Sequence, residues 1–93
     1  MPHHKSAKKA LKQSEKRRLR NRIFKTEVKT QTKKFLNYLQ AGNLEKAENQ
    51  LRLVQSLLHK GEKKGIFHWK KTANKISKLF HKLNKLKLQT LVQ

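Results

Sequence analysis

The sequence predicts an all-α protein, an antiparallel three-helix bundle with a long, projecting basic N-terminal helix. Apolar residues recur at intervals of three and four through most of the chain, and no strand-like alternation persists. One proline, Pro2, and three glycines, Gly42, Gly61 and Gly65, confine the helix breaks to two places. Because the links at these breaks are short, neighbouring helices are expected to run antiparallel.

The first helix is expected from about residue 5 to residue 41, a length of roughly 55 Å at about 1.5 Å per residue. Residues 1–18, which we call the arm, contain almost no large apolar side chains, so the arm should project from the bundle. Residues 19–41 should form the packed part of the helix. Their apolar stripe comprises Leu19, Ile23, Phe24, Val28, Phe35, Leu36 and Leu39.

The second helix is predicted over residues 43–60. Asn43 suits the N-cap, where its side chain would accept a hydrogen bond from the first turn, and Gly61 suits the C-terminal stop. The apolar residues step by three and four along one seam, which comprises Leu44, Ala47, Leu51, Val54 and Leu58.

The third helix is predicted over residues 67–88, followed by a tail at 89–93. The aromatic rings of Trp69, Phe67 and Phe80 are of a type that can stack on unpaired bases. The helical spacing of Trp69 and Phe80 favours the core instead, whereas Phe67 lies off the seam and should be more open. The full seam comprises Ile66, Trp69, Ala73, Ile76, Phe80 and Leu83. The 93 residues are expected to form a single domain, 1–93.

The charge of the chain is strongly positive. Lys and Arg number 25 against five glutamates, for a formal net charge of +20. A compact state with this charge repels itself, so a polyanionic partner is expected. Nucleic acid leads, because neutralised phosphates release counterions, and an anionic membrane surface comes second. Residues 43–60 hold three cations and two acids, so the middle helix is nearly neutral and the basic surface should be directional.

Several function classes find no support. Without cysteine there is no disulfide framework and no cysteine zinc site, and we expect no metal site and no cofactor. The chain offers no glycine-rich phosphate loop and no activated nucleophile, so it is not expected to be an enzyme. No apolar run approaches a membrane span, and the most basic stretch lacks an apolar face, so we expect no membrane partner. No homo-oligomer is expected.

The arm places cations on all sides of a helix, which implies burial in a groove or between several RNA helices. A helix reading duplex DNA would need base-contacting residues along one face. Asn21 and Gln13 suit that role, but no dimer zipper or helix-turn-helix spacing surrounds them. The residues therefore favour RNA modestly. A nucleoid-type DNA-compacting basic protein is the alternative, and a membrane-active helical peptide is third.

Four motifs together resemble one family, the bacterial-type small-subunit ribosomal protein twenty. They are KSA at 5–7, SEKRRLRN at 14–21, AGNLEKA at 41–47 and GIFHWKKTANKISKLFHKLN at 65–84. The resemblance covers residue 4 to about residue 86. It implies a three-helix bundle whose long first helix enters the small-subunit ribosomal RNA, contacts its 5′ domain and stabilises its folding during assembly. Trp69 departs from the family pattern, which commonly has a polar or basic residue there.

The resemblance also implies the partners and the location. The partners would be small-subunit ribosomal RNA and other ribosomal components, in the ribosome of a bacterial cytoplasm or of an organelle of bacterial descent, such as a plastid. Charge and resemblance together give a set of candidate RNA-binding residues along the first and third helices. It comprises Lys5, Ser6, Lys8, Lys9, Lys12, Ser14, Lys16, Arg17, Arg18, Arg20, Asn21, Arg22, Lys25, Lys29, His68, Lys70, Lys71, Lys75, Lys78 and Lys82.

Overall fold

The computed structural model describes the backbone of residues 2–92 and the side chains of residues 6–91. Over this range the chain forms three helices, α1 (Pro2–Gln40), α2 (Leu44–Lys63) and α3 (Trp69–Val92). The middle helix packs against both of the others. The molecule measures 74 × 22 × 13 Å, because α1 is about twice as long as α2 and extends past it. The predicted fold class, a three-helix bundle with a long N-terminal helix, is confirmed.

The core lies where the three helices overlap. It comprises Val28 and Phe35 of α1, Ala47, Leu51, Val54 and Leu58 of α2, and Leu79 and Leu83 of α3. The whole predicted seam of α2 takes part, with Leu44 half-buried at its start. Burial of apolar side chains at this spacing is what holds the helices together.

The packed part of α1 begins later than the sequence suggests. Leu19 is 57% exposed and Ile23 is 59% exposed, so the expectation that they pack is wrong. Phe24 is the first residue of the stripe that contacts the core. The reason is length: the 20 residues of α2 span about 30 Å, whereas the 39 residues of α1 span about 58 Å. α2 therefore does not extend far enough to cover Leu19 and Ile23.

The link between α1 and α2 closes as a Schellman motif. Gly42 adopts a left-handed φ of 73°, its N–H donates to the carbonyl of Leu39, and the N–H of Asn43 donates to the carbonyl of Tyr38. The Asn43 side chain then accepts from the Lys46 N–H at 3.2 Å, so the predicted N-cap of α2 is confirmed. One tight turn thus ends α1 and starts α2.

The prediction that Gly61 stops the second helix is wrong. α2 continues to Lys63, and Gly65, with φ 75°, supplies the left-handed residue of a second Schellman motif, in which Ile66 N–H donates to the Gly61 carbonyl. Gly61 is buried inside the helix. A Cβ at Gly61 would lie 2.5 Å from Cε2 of Phe67 and 2.8 Å from Cε1 of Phe24. Gly61 is therefore a notch that receives two aromatic rings.

The third helix is rotated relative to the predicted seam. Its buried positions are Thr72, Leu79 and Leu83, with Ile76 half-buried between them. Trp69 is 58% exposed and Ala73 is exposed, so both were wrongly assigned to the core. Phe67 is half-buried against the core instead of open, because the Gly61 notch accommodates its ring. The predicted seam contained Ile76, Phe80 and Leu83 correctly, since all three contact the core.

The ends of α3 also differ from the expected 67–88. The helix begins at Trp69 and continues to Val92, so the chain over 89–92 extends it by another turn. Residue 93 of the predicted tail lies outside the described residues. Leu88 and Leu91 in this last stretch are exposed.

Two polar links join neighbouring helices. The Gln50 Nε2 of α2 donates to the backbone carbonyl of Gln31 at 2.9 Å and to its side-chain Oε1 at 2.7 Å. The Lys87 ammonium of α3 pairs with the Glu48 carboxylate of α2. This hydrogen bond, together with the charge of Lys87, holds the pKa of the Glu48 carboxyl below its ordinary value.

Candidate nucleic-acid interface

The described part of the arm, residues 2–18, is helical, and no other element covers its described side chains. Every described side chain from residue 6 to residue 20 is exposed. Lys16, Arg17 and Arg20, together with Gln13, surround a shallow depression on one face. Their spacing of three, four and seven residues is what places them on that face. The other cations of the arm lie around the remaining sides, so the helix presents positive charge in every direction.

The structure describes the side chains of every candidate residue except Lys5, which lies outside the described side chains. Asn21 is half-buried, where the exposed stretch approaches the bundle. The others are exposed: Ser6, Lys8, Lys9, Lys12, Ser14, Lys16, Arg17, Arg18, Arg20, Arg22, Lys25 and Lys29 in α1, and His68, Lys70, Lys71, Lys75, Lys78 and Lys82 at α3. All of these side chains are accessible to a large ligand.

The positive charge of the candidate surface has little internal compensation. Among the described residues, the ion pairs are His59 with Glu62 at 3.6 Å and Lys87 with Glu48. Neither pair includes a candidate residue. The segment 66–93 contains seven cations and no acid. Repulsion between these cations is therefore left for a partner to relieve.

A cleft brings the two basic helices together near the middle of α1. It has a volume of about 430 Å³. Lys25 of α1 and Lys71 and Lys75 of α3 line it, and His68 stands at its edge. Leu58, Ile66, Phe67 and Thr72 supply the remaining wall. Residues that are about 50 positions apart in sequence thus form one basic cluster, which the sequence did not predict.

His68 caps the start of α3. Its Nδ1 accepts a hydrogen bond from the Lys70 N–H at 3.2 Å, and its carbonyl accepts from the Thr72 N–H at 3.1 Å. Because Nδ1 is the acceptor, the neutral ring carries its proton on Nε2. His68 therefore makes a polar contact at the start of the helix.

The lysines of α3 form a row beyond the cleft. Lys71, Lys75, Lys78 and Lys82 step by four, three and four, so they share one helix face. Lys70 lies apart from the row, with its Nζ 5.7 Å from the centre of the Trp69 ring. The row starts at the cleft that Lys25 also lines, so it continues the basic surface of α1.

Two features of this surface were not predicted from the sequence. Trp69 is exposed and stacks on His68, with ring centres 5.7 Å apart and planes at 29°. Thr72 is 2% exposed, and its hydroxyl has no hydrogen-bond partner within the described chain. One pattern in the sequence indicates both features. Thr72, Ile76, Leu79 and Leu83 are separated by four, three and four residues, so they share a helix face that excludes Trp69.

Two other kinds of site are absent from the described residues. Within residues 2–92, no helix combines the length and the apolar character needed to cross a membrane. The described side chains include no group of three or more His, Cys, Asp or Glu residues arranged to hold a metal ion.

The family model described as Ribosomal protein S20 matches residues 2–84. The chain is also similar to proteins named Small ribosomal subunit protein bS20. That of Alkaliphilus oremlandii is 42% identical over 81 residues, which cover 87% of this chain and 93% of the relative. That of Persephonella marina is 38% identical over 87 residues, with 94% and 95% covered. That of Halothermothrix orenii is 42% identical over 86 residues, with 92% and 99% covered.

These matches extend over both basic helices and the neutral helix between them. They agree with the resemblance found in the four sequence motifs, and they cover nearly the full length of each relative. The family model matches residues 2–84, and relatives at about 40% identity cover most of the chain. The chain therefore belongs to the Ribosomal protein S20 family, a structural and non-enzymatic class.

Proposed function

We propose that this protein is a constituent of the small ribosomal subunit that binds small-subunit ribosomal RNA directly, at its 5′ domain, and stabilises the folding of that RNA during assembly. The names of the relatives support the association with the small subunit. The other partners would be neighbouring ribosomal components. The location would be a ribosome in a bacterial cytoplasm or in an organelle of bacterial descent.

One observation carries the proposal: the first half of α1 is a helix with nothing to pack against. Residues 6–20 are exposed throughout, and the same stretch holds seven lysines and arginines with one glutamate. Such a helix repels itself in water. Phosphates on several sides would remove the repulsion and release counterions, so the helix is best stabilised inside folded RNA.

The basic row of α3 supports a second area of contact. Because Lys25 of α1 and Lys71 and Lys75 of the row line one cleft, basic side chains of the two helices lie on one continuous surface. A protein with two linked basic helices can hold two RNA segments at a fixed distance. In this mechanism the bundle sets the geometry, the cations neutralise phosphates, and the compact RNA arrangement becomes more favourable.

The proposal is tested by binding of the full chain to a transcript of the small-subunit RNA 5′ domain. The comparison ligands are a duplex DNA and an unrelated folded RNA of equal length, measured over a salt series. Six to ten phosphate contacts should lower the affinity by about 10³–10⁵ between about 50 and 200 mM salt. A preference for the ribosomal transcript should survive at physiological salt. Equal affinity for all three ligands would instead favour the DNA-compacting alternative.

A pair of double variants separates the arm from the bundle. Arg17→Gln with Arg18→Gln should reduce the slope of log affinity against log salt by about 2, since each phosphate contact contributes about 0.9. Lys33→Gln with Lys34→Gln removes the same charge from exposed positions outside the candidate set. If the two double variants lose affinity equally, only net charge matters and the arm has no special role.

A further inference from the structure

The exposed Trp69 has no structural role that the packing explains. It is 58% exposed at the first residue of α3, outside the core, in a segment whose charged side chains are all cations. A tryptophan left in water forfeits the burial that usually stabilises it. The ring stacks on His68, whose Nδ1 accepts a hydrogen bond from the Lys70 N–H. The result is an aromatic surface held at a defined place.

The surroundings of this ring suit a nucleotide. His68 stacks on Trp69 and also stands at the edge of the cleft lined by Lys25, Lys71 and Lys75. Aromatic rings stack on unpaired bases of any type, and nearby lysines bind the phosphates on either side. Trp69 is also the first residue of α3, so the positive end of a 24-residue helix lies next to the ring.

We propose that Trp69, which stacks on the cleft residue His68, also stacks on one unpaired nucleobase of the bound RNA while Lys25, Lys71 and Lys75 bind the adjoining phosphates. This proposal rests on the proposed function and names a specific ligand within it. The Lys70 ammonium, 5.7 Å from the ring centre, is on a flexible stem and moves aside to pair with a phosphate. A fully paired RNA presents no free base face and gains nothing from Trp69.

The chain carries its own probe, because Trp69 is its single tryptophan. Fluorescence of the full chain would be recorded with three ligands: an RNA hairpin with one bulged nucleotide, the same hairpin fully paired, and inorganic phosphate. Stacking on a base should quench the emission with the bulged hairpin and leave it little changed with the other two. Equal quenching by the bulged and the paired hairpin, or by phosphate alone, would overturn the stacking assignment.

Variants measure the contribution of the ring to affinity. Trp69→Leu should weaken binding of a labelled bulged hairpin by about 5- to 150-fold, the range expected for one stacked base, and should leave binding of the paired hairpin unchanged. Leu91→Ala is the matched control, since it removes another exposed apolar side chain from the same helix. No change in Trp69→Leu, or an equal change for both hairpins, would refute the proposal.

The phosphate contacts are tested within the same helix. Lys75→Gln should lower the salt slope for the bulged hairpin by about one. Lys85→Gln, an exposed lysine that does not line the cleft, should change it less. Equal effects would refute the role of the cleft. These outcomes can be distinguished from a failure of the proposed function. Preference for the ribosomal transcript without any effect of the bulge would refute only the stacking proposal. Stacking on bulged hairpins without preference for the ribosomal transcript would refute the proposed function.

Discussion

Replacement of Gly61 by alanine should destabilise the bundle, although helix propensity predicts the opposite. Gly61 lies inside α2, where alanine ordinarily improves stability by about 1 kcal/mol. The new Cβ, however, would stand 2.5 Å from one carbon of the Phe67 ring and 2.8 Å from one carbon of the Phe24 ring. Both rings must shift, and they also contact each other, with centroids 6.0 Å apart.

The magnitude follows from these opposing effects. Overpacking at such a site costs about 1–3 kcal/mol. Displacement of the half-buried Phe67 forfeits part of the about 1.5–3 kcal/mol that burial of a phenylalanine provides. With the gain in propensity subtracted, we expect Gly61→Ala to lower the free energy of unfolding by about 1–3 kcal/mol. For a chain of this size each kcal/mol lowers Tm by about 4–8 °C.

The assay is thermal and urea unfolding of the full chain, followed by far-ultraviolet circular dichroism. Ser56→Ala is the control, because Ser56 is an exposed position of the same helix where only propensity changes. A double variant with Phe67→Ala isolates the clash: once that ring is gone, Gly61→Ala should lose less stability. If Gly61→Ala alone unfolds at the same or a higher temperature than the unchanged chain, the notch has no energetic role.

Three further predictions separate core, surface and electrostatic effects. Leu51→Ala should lower the free energy of unfolding of the free protein by about 2–5 kcal/mol, because Leu51 is buried in the core. Arg18→Ala should leave Tm unchanged and weaken RNA binding. The reverse pattern in melting and binding assays of the two variants would contradict the assigned faces. Thr72→Val should raise the free energy of unfolding by about 1 kcal/mol or more in urea titrations, since it removes a buried hydroxyl without a partner in the described chain; a loss would mean that the hydroxyl is satisfied. Because the pKa of Glu48 is lowered in the folded chain, its ion pair stabilises at pH values above the ordinary pKa of a glutamate and is lost as the pH falls through the lowered value. The difference in Tm between the unchanged chain and Glu48→Gln should therefore vanish in strong acid. A difference that persists there in melts over a pH series would contradict the role of this ion pair.

Features that depend on neighbouring residues could be predicted from the sequence. The seam of α2 combines five positions at regular spacing with a capping asparagine, and one short segment contains all the information needed to place it. The exposure of the arm followed in the same way, because a stretch without large apolar side chains has nothing to bury. The basic character of the α1 and α3 surfaces needed only the distribution of charge.

The errors arose where a residue depends on a partner far away in sequence. In α3 two interleaved series with +4, +3 spacing share Ile76 and Leu83, and the wrong one was favoured because the right one begins with Thr72. Tertiary packing selects the series that begins with Thr72. The Phe67 ring packs against Gly61, and in this register of α3 Trp69 is exposed. Leu19 was misassigned for a similar reason, since its spacing does not reveal where α2 ends.

The candidate site also combines features set by neighbouring residues with features set by residues far apart in sequence. Composition identified most of the exposed cations, but only the fold places Lys25 of α1 beside Lys71 and Lys75 of α3. Such a cluster could not be predicted, because its residues are far apart in the sequence and the local spacing within one helix gives no information about the other. The exposed aromatic surface at Trp69 was hidden by the same register error that assigned it to the core.

The nearly neutral α2 explains how so basic a chain can form a bundle. It packs against both α1 and α3, so the two basic helices are held apart along most of their length, and Glu48 pairs with a lysine of α3. The two basic helices come together at the cleft. Lys25, Lys71 and Lys75 line it, and no acidic residue is among the lining residues. Like charges brought together there destabilise the free protein, and a polyanion that binds them removes the repulsion. RNA binding should therefore stabilise the bundle itself, and the fold and its ligand become thermodynamically linked.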